Sequence, residues 1–590
     1  MMFNRKTVAA VLVLTLCIVS FCFAQSLEDN WNDFLHYAKI GRLDLAAGYA
    51  QAVLESEPNA IELLALSEEN PVGLSILLRV NDTTPNAELT ELSGKILNII
   101  EQGRFIRRTD PKIITEEIKR LSGTNRGRVA AIKRLQNAGE YAIVYMLEAM
   151  AEDSRKKELP NIIWALPQIG RDGIRPLAAA LQTENVAVKI EIIKALGSIG
   201  HPRSMVYLKY IVENSDSAEL RKLAEESIRT IDSSALKLSA AQLFYQLAEN
   251  YYYHAESLTP AEKEDFANIW FWDPDKQRLV RENVDKIYFN ELMAMRLCEW
   301  ALKADPEFGK AIGLWLAAYF KAESVGVDMP SYFGPSHAEA IAYATTAGVE
   351  YLHQGLARAI KDKNSYVALG VIEALAATAG EKSLFYRIGT VQPLIQALSF
   401  DDKAIRYSAA IAIVTAGPKE AFAESKLVVK NLAQALEETD LTNKWNAESY
   451  ALRAVKVMLK SAQARNTVID LSAVEDSLIK STKMKNTEIQ VLAAQTLALM
   501  GSENAQRSIA DMALKETNTK DIQILAFDSL ATSAKVNANL LDDKRIDAIY
   551  SLVSSEEIDS ELRNAASSAY GALNLPSQKV KDLILDQARS

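Results

Sequence analysis

Cysteine is nearly missing from this chain. Of three in 590 residues, Cys17 and Cys22 fall in an N-terminal apolar run, which leaves Cys298 without a partner for an intramolecular disulfide. Stability must then come from packing, which a long chain supplies because the buried fraction of its surface rises with size. Proline (16) and glycine (24) are scarce too, while Ala, Leu, Glu and Lys are plentiful, the composition of a helical protein. An excess of positive charge is absent. The formal charge is −10, and without Arg5 and Lys6 it is −12, which disfavours a phosphate-backbone partner for the chain as a whole. No second long apolar run follows the first, so no membrane span is expected after the leader. Strand signals are nearly absent, VIDLS at 468–472 being the one possible strand.

What is present begins with that leader. Arg5 and Lys6 precede the uncharged run Thr7 to Ala24, and Cys22-Phe23-Ala24 offers small residues where a signal peptidase reads, so residues 1–24 read as a signal peptide with Gln25 first in the mature chain. Leu16 and Phe21 stand before the two cysteines where a lipobox wants a small residue, which disfavours lipidation. Retention of the leader as an anchor stays open, since the run reaches the ~18 residues at which spanning becomes possible. The expected location is the periplasm or cell envelope.

Beyond the leader a phrase returns after thirty residues: Ile162-Ile163-x-Ala165-Leu166-x-x-Ile169-Gly170, then Ile192-Ile193-x-Ala195-Leu196-x-x-Ile199-Gly200. Each copy is a helix that cannot bury its apolar face alone, so its neighbour must cover it, which predicts an all-α solenoid. Residues 129–232 carry three such helix–turn–helix units, resembling HEAT repeats, with Gly139, Gly170 and Gly200 where helices end. HEAT-like hairpins resume at 344–590, as in VALGVIEALAATAG and EIQVLAAQTLALMG.

The other segments read differently. Residues 25–69 have the register of a tetratricopeptide (TPR) hairpin, with Gly41 at the turn, Ala46, Tyr49 and Ala50 as the packing stripe and Pro58 as the break. Residues 70–128 form a connector with short helices expected at 71–80, 87–102 and 111–121, parted by Pro85, Gly103, Pro111 and Gly123. From Arg104 to Arg134 this region is locally basic, with Arg104, Arg107 and Arg108 at its start. Residues 233–343 are rich in aromatics, among them Tyr252, Trp270, Trp272 and Tyr288, and contain a second TPR-like hairpin, AMRLCEWALKADPEFGKAIGLWLAAYFKAE. The stretch from Trp270 to Pro274 reads as an unusually apolar turn.

This order of parts, with FNELMAMRLCEWALKADP at 289–306 and AASSAYGALNLPSQKVKDLIL at 565–585, resembles the exported HEAT-repeat proteins of planctomycetes and related bacteria over nearly the whole mature chain. The resemblance implies fold and export and transfers no active site. Some relatives carry a receiver-like insert before the last repeats; here Trp445 to Lys460 reads as helix.

Catalytic and metal patterns are all incomplete. His337-Ala338-Glu339 opens a zinc deaminase signature, but no cysteine follows to complete the ligand set. Glu350-x-x-His353 has the spacing of a di-iron half-site without a second copy. Gly380-Glu381-Lys382-Ser383 lacks the glycines with which a backbone wraps phosphate. Ser154-x-x-Lys157 and Ser477-x-x-Lys480 lack the companions of penicillin-binding enzymes, and Asp273-Pro-Asp275 has Arg278 where a calcium loop turns on Gly. Cys298 sits in an apolar helix stripe and reads as an inert thiol. No metal or cofactor is implied.

The favoured reading is a non-catalytic exported scaffold for a protein or peptide partner. Candidate binding residues are Trp270, Trp272, Tyr252 and Tyr288, as aromatic anchors at a junction of repeat types, and Arg104, Arg107 and Arg108. Filling of an irregular gap is the structural alternative for the aromatics, and a solvated face for the arginines. Two other readings stay open: a cell-envelope polymer or carbohydrate binder using the two tryptophans and the basic stretch, and a bilin-lyase-like enzyme.

Overall fold

The computed structural model describes residues 26–255, 258, 265–326, 337–378 and 380–587. The expected leader therefore lies outside the described residues. Helices dominate two compact units, the first holding residues up to 237 with 270–281, the second holding 238–269 and 282 onward. Among the described residues no helix is long and apolar enough to cross a membrane.

In the first unit, α1 (Leu27–Lys39), α2 (Leu43–Glu55) and α3 (Ala60–Glu69) are followed by α4 (Pro71–Thr83), α5 (Ala87–Thr109) and α6 (Pro111–Arg120). Their starts are written in the sequence. Ser26 and Asp29 close a capping box on α1, Asn59, Asn70 and Asn86 cap α3, α4 and α5, and Asp110 caps α6 with Pro111 at its first position. Trp31, Phe34, Ala46, Ala50, Leu63, Leu77 and Ile96 form one buried cluster. Gly41 sits in the α1–α2 turn with φ +77° and open space where a Cβ would be, so it is needed for its backbone angle.

Gly103 does not end a helix. It lies inside α5, which runs to Thr109, because a residue without a side chain lets the Ala60 carbonyl of α3 approach.

The repeats continue with α7 (Asn125–Ala138), α8 (Glu140–Ala151), α9 (Leu159–Ala165), α10 (Ile174–Ala180), α11 (Val186–Ile199), α12 (Pro202–Asn214) and α13 (Ala218–Asp232). Gly139, Gly170 and Gly200 have φ of +58°, +74° and +69°, a region that other residues enter only with strain. Each marks the turn after the first helix of a repeat.

The second unit begins with α14 (Ala240–Tyr252). The aromatic stretch then departs from the all-helical expectation, since Phe266–Asp273 is a strand, β1, paired with β2 (Arg278–Asp285). Trp270 and Trp272 thus stand two apart on one strand rather than on a turn; the turn is 274–277. β-branched and aromatic density was the available signal, masked by a helical context on both sides. Helices α15 (Phe289–Ala304) and α16 (Lys310–Glu323) follow, broken at Asp305-Pro306, and helical pairs continue to Gln587. Residues 468–472 form no strand; Leu471–Val474 is a short 3-10 turn. A helix spans Tyr450–Gln463, overlapping the 445–460 read as helical but starting five residues later and ending three residues later. Both units are all-α solenoid in construction, with the single hairpin as the exception among the described residues.

Candidate functional site

The cavity that gathers sequence-predicted residues lies in the first unit, with a volume of about 420 Å³. Four helices frame it. The last turn of α3 brings Ala65, Glu68 and Glu69; the last turn of α5 brings Arg107 and Arg108. Because Asp110 caps α6 through the amides of Lys112 (2.7 Å) and Ile113 (3.2 Å), that helix starts at once and delivers Ile113, Ile114 and Glu117. Helix α7 closes the site with Arg134, Leu135, Asn137 and Ala138.

The floor is aliphatic and the charges are mostly spent on one another. Arg107 Nη1 donates to both oxygens of Glu68 at 2.8 and 2.7 Å. Glu117 is 5% exposed, and its Oε1 accepts from Arg134 at 2.6 Å and Arg120 at 3.0 Å. Its Oε2 has no hydrogen-bond partner among the described residues. Such a buried half-used carboxylate is a costly arrangement and marks the wall as polar behind an apolar surface.

These pairings neutralise five of the ten cations between 104 and 134, namely Arg104, Arg107, Lys119, Arg120 and Arg134. Arg104 pairs with Glu101, and Lys119 with Glu116 at 3.9 Å. The sequence window contained few acids, but folding brings Glu68 from 39 residues away. Long-range pairing of this kind has no local signal.

Trp270 reaches the same unit but is no exposed platform. It is 4% exposed, its indole donates to Glu140 Oε2 at 2.8 Å, and that oxygen also accepts from Arg175 at 3.1 Å. The ring meets Tyr141 edge-on at 6.4 Å. Arg281 lies over Tyr141 at 4.7 Å and Arg108 at 5.7 Å, so Arg108 links the cavity wall to the hairpin residues. Trp272 is half-buried, its indole nitrogen enclosed and without a hydrogen-bond partner among the described residues.

Tyr252 and Tyr288 belong to the second unit and are interior, at 2% and 4% exposed. Burial pushes the Tyr252 phenol well above its ordinary range, and its ring lies under Lys321 at 4.7 Å and Arg358 at 5.3 Å. The structure therefore brings Arg107, Arg108 and the hairpin tip into one unit and places these two tyrosines in the core of the other.

Motifs with incomplete signatures have structural explanations. His353 is fully buried, its Nε2 2.9 Å from the Ser383 carbonyl, and burial pushes its imidazole pKa down. Cys298 is buried and its thiol pKa is raised well above normal by desolvation, so it offers no reactive or attachment point. Among the described residues no three His, Cys, Asp or Glu side chains converge as metal ligands.

Comparison with known proteins bears on the repeats. Residues 143–229 match the family of HEAT repeats. No curated protein matches the sequence. Among solved structures, the chain is similar to the myosin chaperone UNC-45 from C. elegans, crystallised with a Hsp90 peptide, at 14% identity over 90% of this chain and 66% of that one, with a TM-score of 0.33. It thus spans just under two thirds of that chaperone. A Kap95p structure with RanGDP matches at 12% identity over 87% and 69%, TM-score 0.27. Human deoxyhypusine hydroxylase, an enzyme, matches at 11% identity over 64% and 99%, TM-score 0.19. The likeness to HEAT repeats over residues 143–229 thus falls within a chain whose fold is an all-α solenoid.

Proposed function

We propose that this chain is an exported, non-catalytic scaffold that holds a protein or peptide partner, whose apolar side chain enters the cavity between α3, α5, α6 and α7. The observation that carries this reading is the cavity's make-up: an aliphatic floor lined by three arginines and three glutamates, of which Glu117 is buried in the wall. Balanced charge favours neither a polyanion nor a polycation, which weakens the envelope-polymer alternative, while an apolar floor with polar rim suits a side-chain anchor. The lining holds no serine, cysteine, histidine or lysine to serve as nucleophile. Export is supported by the leader sequence alone.

Glu69 is exposed and lines the cavity, so Glu69→Trp fills the cavity without touching the core. Peptides selected from a random display library on the purified chain are expected to bind Glu69→Trp at least tenfold more weakly, with unchanged circular dichroism. A selection in which no peptide distinguishes the two proteins removes the cavity as the docking site. For export, residues 1–30 fused to a reporter that is active only outside the cytoplasm should give activity and a product beginning at Gln25; an inactive reporter rules that part out.

A further inference from the structure

We infer that the HEAT repeats carry a second docking row, centred on Trp164, for an acidic peptide segment that contributes one apolar side chain. The row follows from the glycine turns. Lys133, Trp164 and Lys194 each stand six residues before a positive-φ glycine, Gly139, Gly170 and Gly200 respectively. Repeat register therefore sets them at one position on the successive helices α7, α9 and α11. Two hydrogen bonds hold the α7 segment beside the α9 segment in that register. Asn161 Nδ2 donates to Ser122 Oγ at 3.1 Å near their starts, and Gln136 Nε2 donates to the Gln168 carbonyl at 2.9 Å beyond Trp164.

All three residues are exposed, and of the chain's seven tryptophans Trp164 is the one left so, at 51%. Its neighbours Ile162, Ala165 and Leu166 already close the core at 0%, 1% and 0%, so the indole is not needed to cover it. Tryptophan is among the side chains most enriched at interface hot spots. Lys133 makes no ion pair among the described residues, and Lys194 shares Glu191 at 2.8 Å while half its side chain stays in water. An exposed indole with an ammonium group on either side is complementary to an apolar residue between carboxylates. A polyanion without apolar groups would use the lysines and leave the indole idle. The inference rests on the reading of the chain as a peptide-holding scaffold, but uses no residue of the cavity.

The probe is a fluorescein-labelled heptapeptide with phenylalanine between two runs of three glutamates, titrated into the purified chain by fluorescence anisotropy. Saturable binding is expected to weaken at least tenfold in Trp164→Ala, to disappear in Lys133→Glu with Lys194→Glu, and to stay at the wild-type level in Glu69→Trp. The same peptide with alanine at the centre should bind as weakly as the full peptide binds Trp164→Ala. Thermal melts check that the variants are folded, as expected for exposed positions. No saturable binding to the wild type, or equal binding to Trp164→Ala, overturns the row. Loss in Glu69→Trp alone moves the peptide to the cavity and likewise overturns the row, leaving the proposed function standing. Binding that depends on Trp164, with no cavity-dependent peptide from the library, does the reverse.

Discussion

Glu373→Ala is expected to lower the stability of the second unit by about 3–5 kcal/mol, the range for breaking one side of a buried ion pair. Glu373 and Arg453 are nearly enclosed, with side chains 10% and 7% exposed, and Arg453 Nη2 donates to both carboxylate oxygens at 2.9 Å. Ser408 Oγ and Asn443 Nδ2 also donate to Oε1, each at 2.9 Å, and both touch the Tyr450 hydroxyl, at 3.0 and 3.2 Å. One carboxylate thus ties together the helices Ser365–Thr378, Lys403–Thr415 and Tyr450–Gln463 and the loop at 443. Removing it strands a guanidinium and two neutral donors. Removing Arg453 instead leaves a carboxylate that keeps two donors, so Arg453→Ala should cost less. Glu373→Gln, which retains an acceptor but no charge, should fall between wild type and Glu373→Ala. Urea unfolding followed by circular dichroism orders the three variants; a Glu373→Ala midpoint equal to wild type would mean the network is solvent-filled and of no structural weight.

That network also shows what the sequence could and could not disclose. Apolar periodicity and the glycine turns are local signals, and they predict repeats over a stretch that includes the 143–229 matched to HEAT repeats, and the helices at 71–80 and 111–121 to within about three residues of their ends. Gly103 reads as a helix break in sequence because glycine is both a helix breaker and a device for close packing, and only the neighbour, Ala60, decides between them. The hairpin at 266–285 has no distinct sequence signal, because its aromatic residues resemble those of the adjoining helices and strand pairing is a relation between segments. For the site the limit was sharper. Arg107 and Arg108 were picked out by charge density, but their surroundings depend on Glu68, Ile113 and Leu135, which no spacing rule groups together. Trp270 was chosen as an aromatic anchor, yet its partner Glu140 lies 130 residues away and makes it a packing residue. The tryptophan that is exposed, Trp164, occupies the variable position of the repeated phrase, where a glance at the pattern passes over it.

Gly103→Ala separates two views of helix α5 because they predict opposite signs. By helix propensity alone, alanine for an interior glycine stabilises by about 1 kcal/mol. The packing predicts the reverse: a Cβ at residue 103 would lie 2.2 Å from the Ala60 carbonyl oxygen, 2.8 Å from its carbon and 3.0 Å from Leu64 Cβ. Two of these three atoms are backbone, so no rotamer change relieves the clash, and α5 must move away from α3 by roughly 1 Å to restore an ordinary carbon–oxygen contact. We expect a net loss of about 3 kcal/mol, the upper end for overpacking. The displacement also has a functional reading. Arg107 lies one turn beyond Gly103, and its two bonds to Glu68 span the same α3–α5 contact that walls the cavity. Moving the helices apart lengthens those bonds and widens the cavity, so cavity-selected peptides should lose about tenfold in affinity even at temperatures where the variant is fully folded. A Gly103→Ala protein as stable as wild type would show that α3 and α5 do not approach at this point, and would take with it the geometry on which the cavity's charged rim depends.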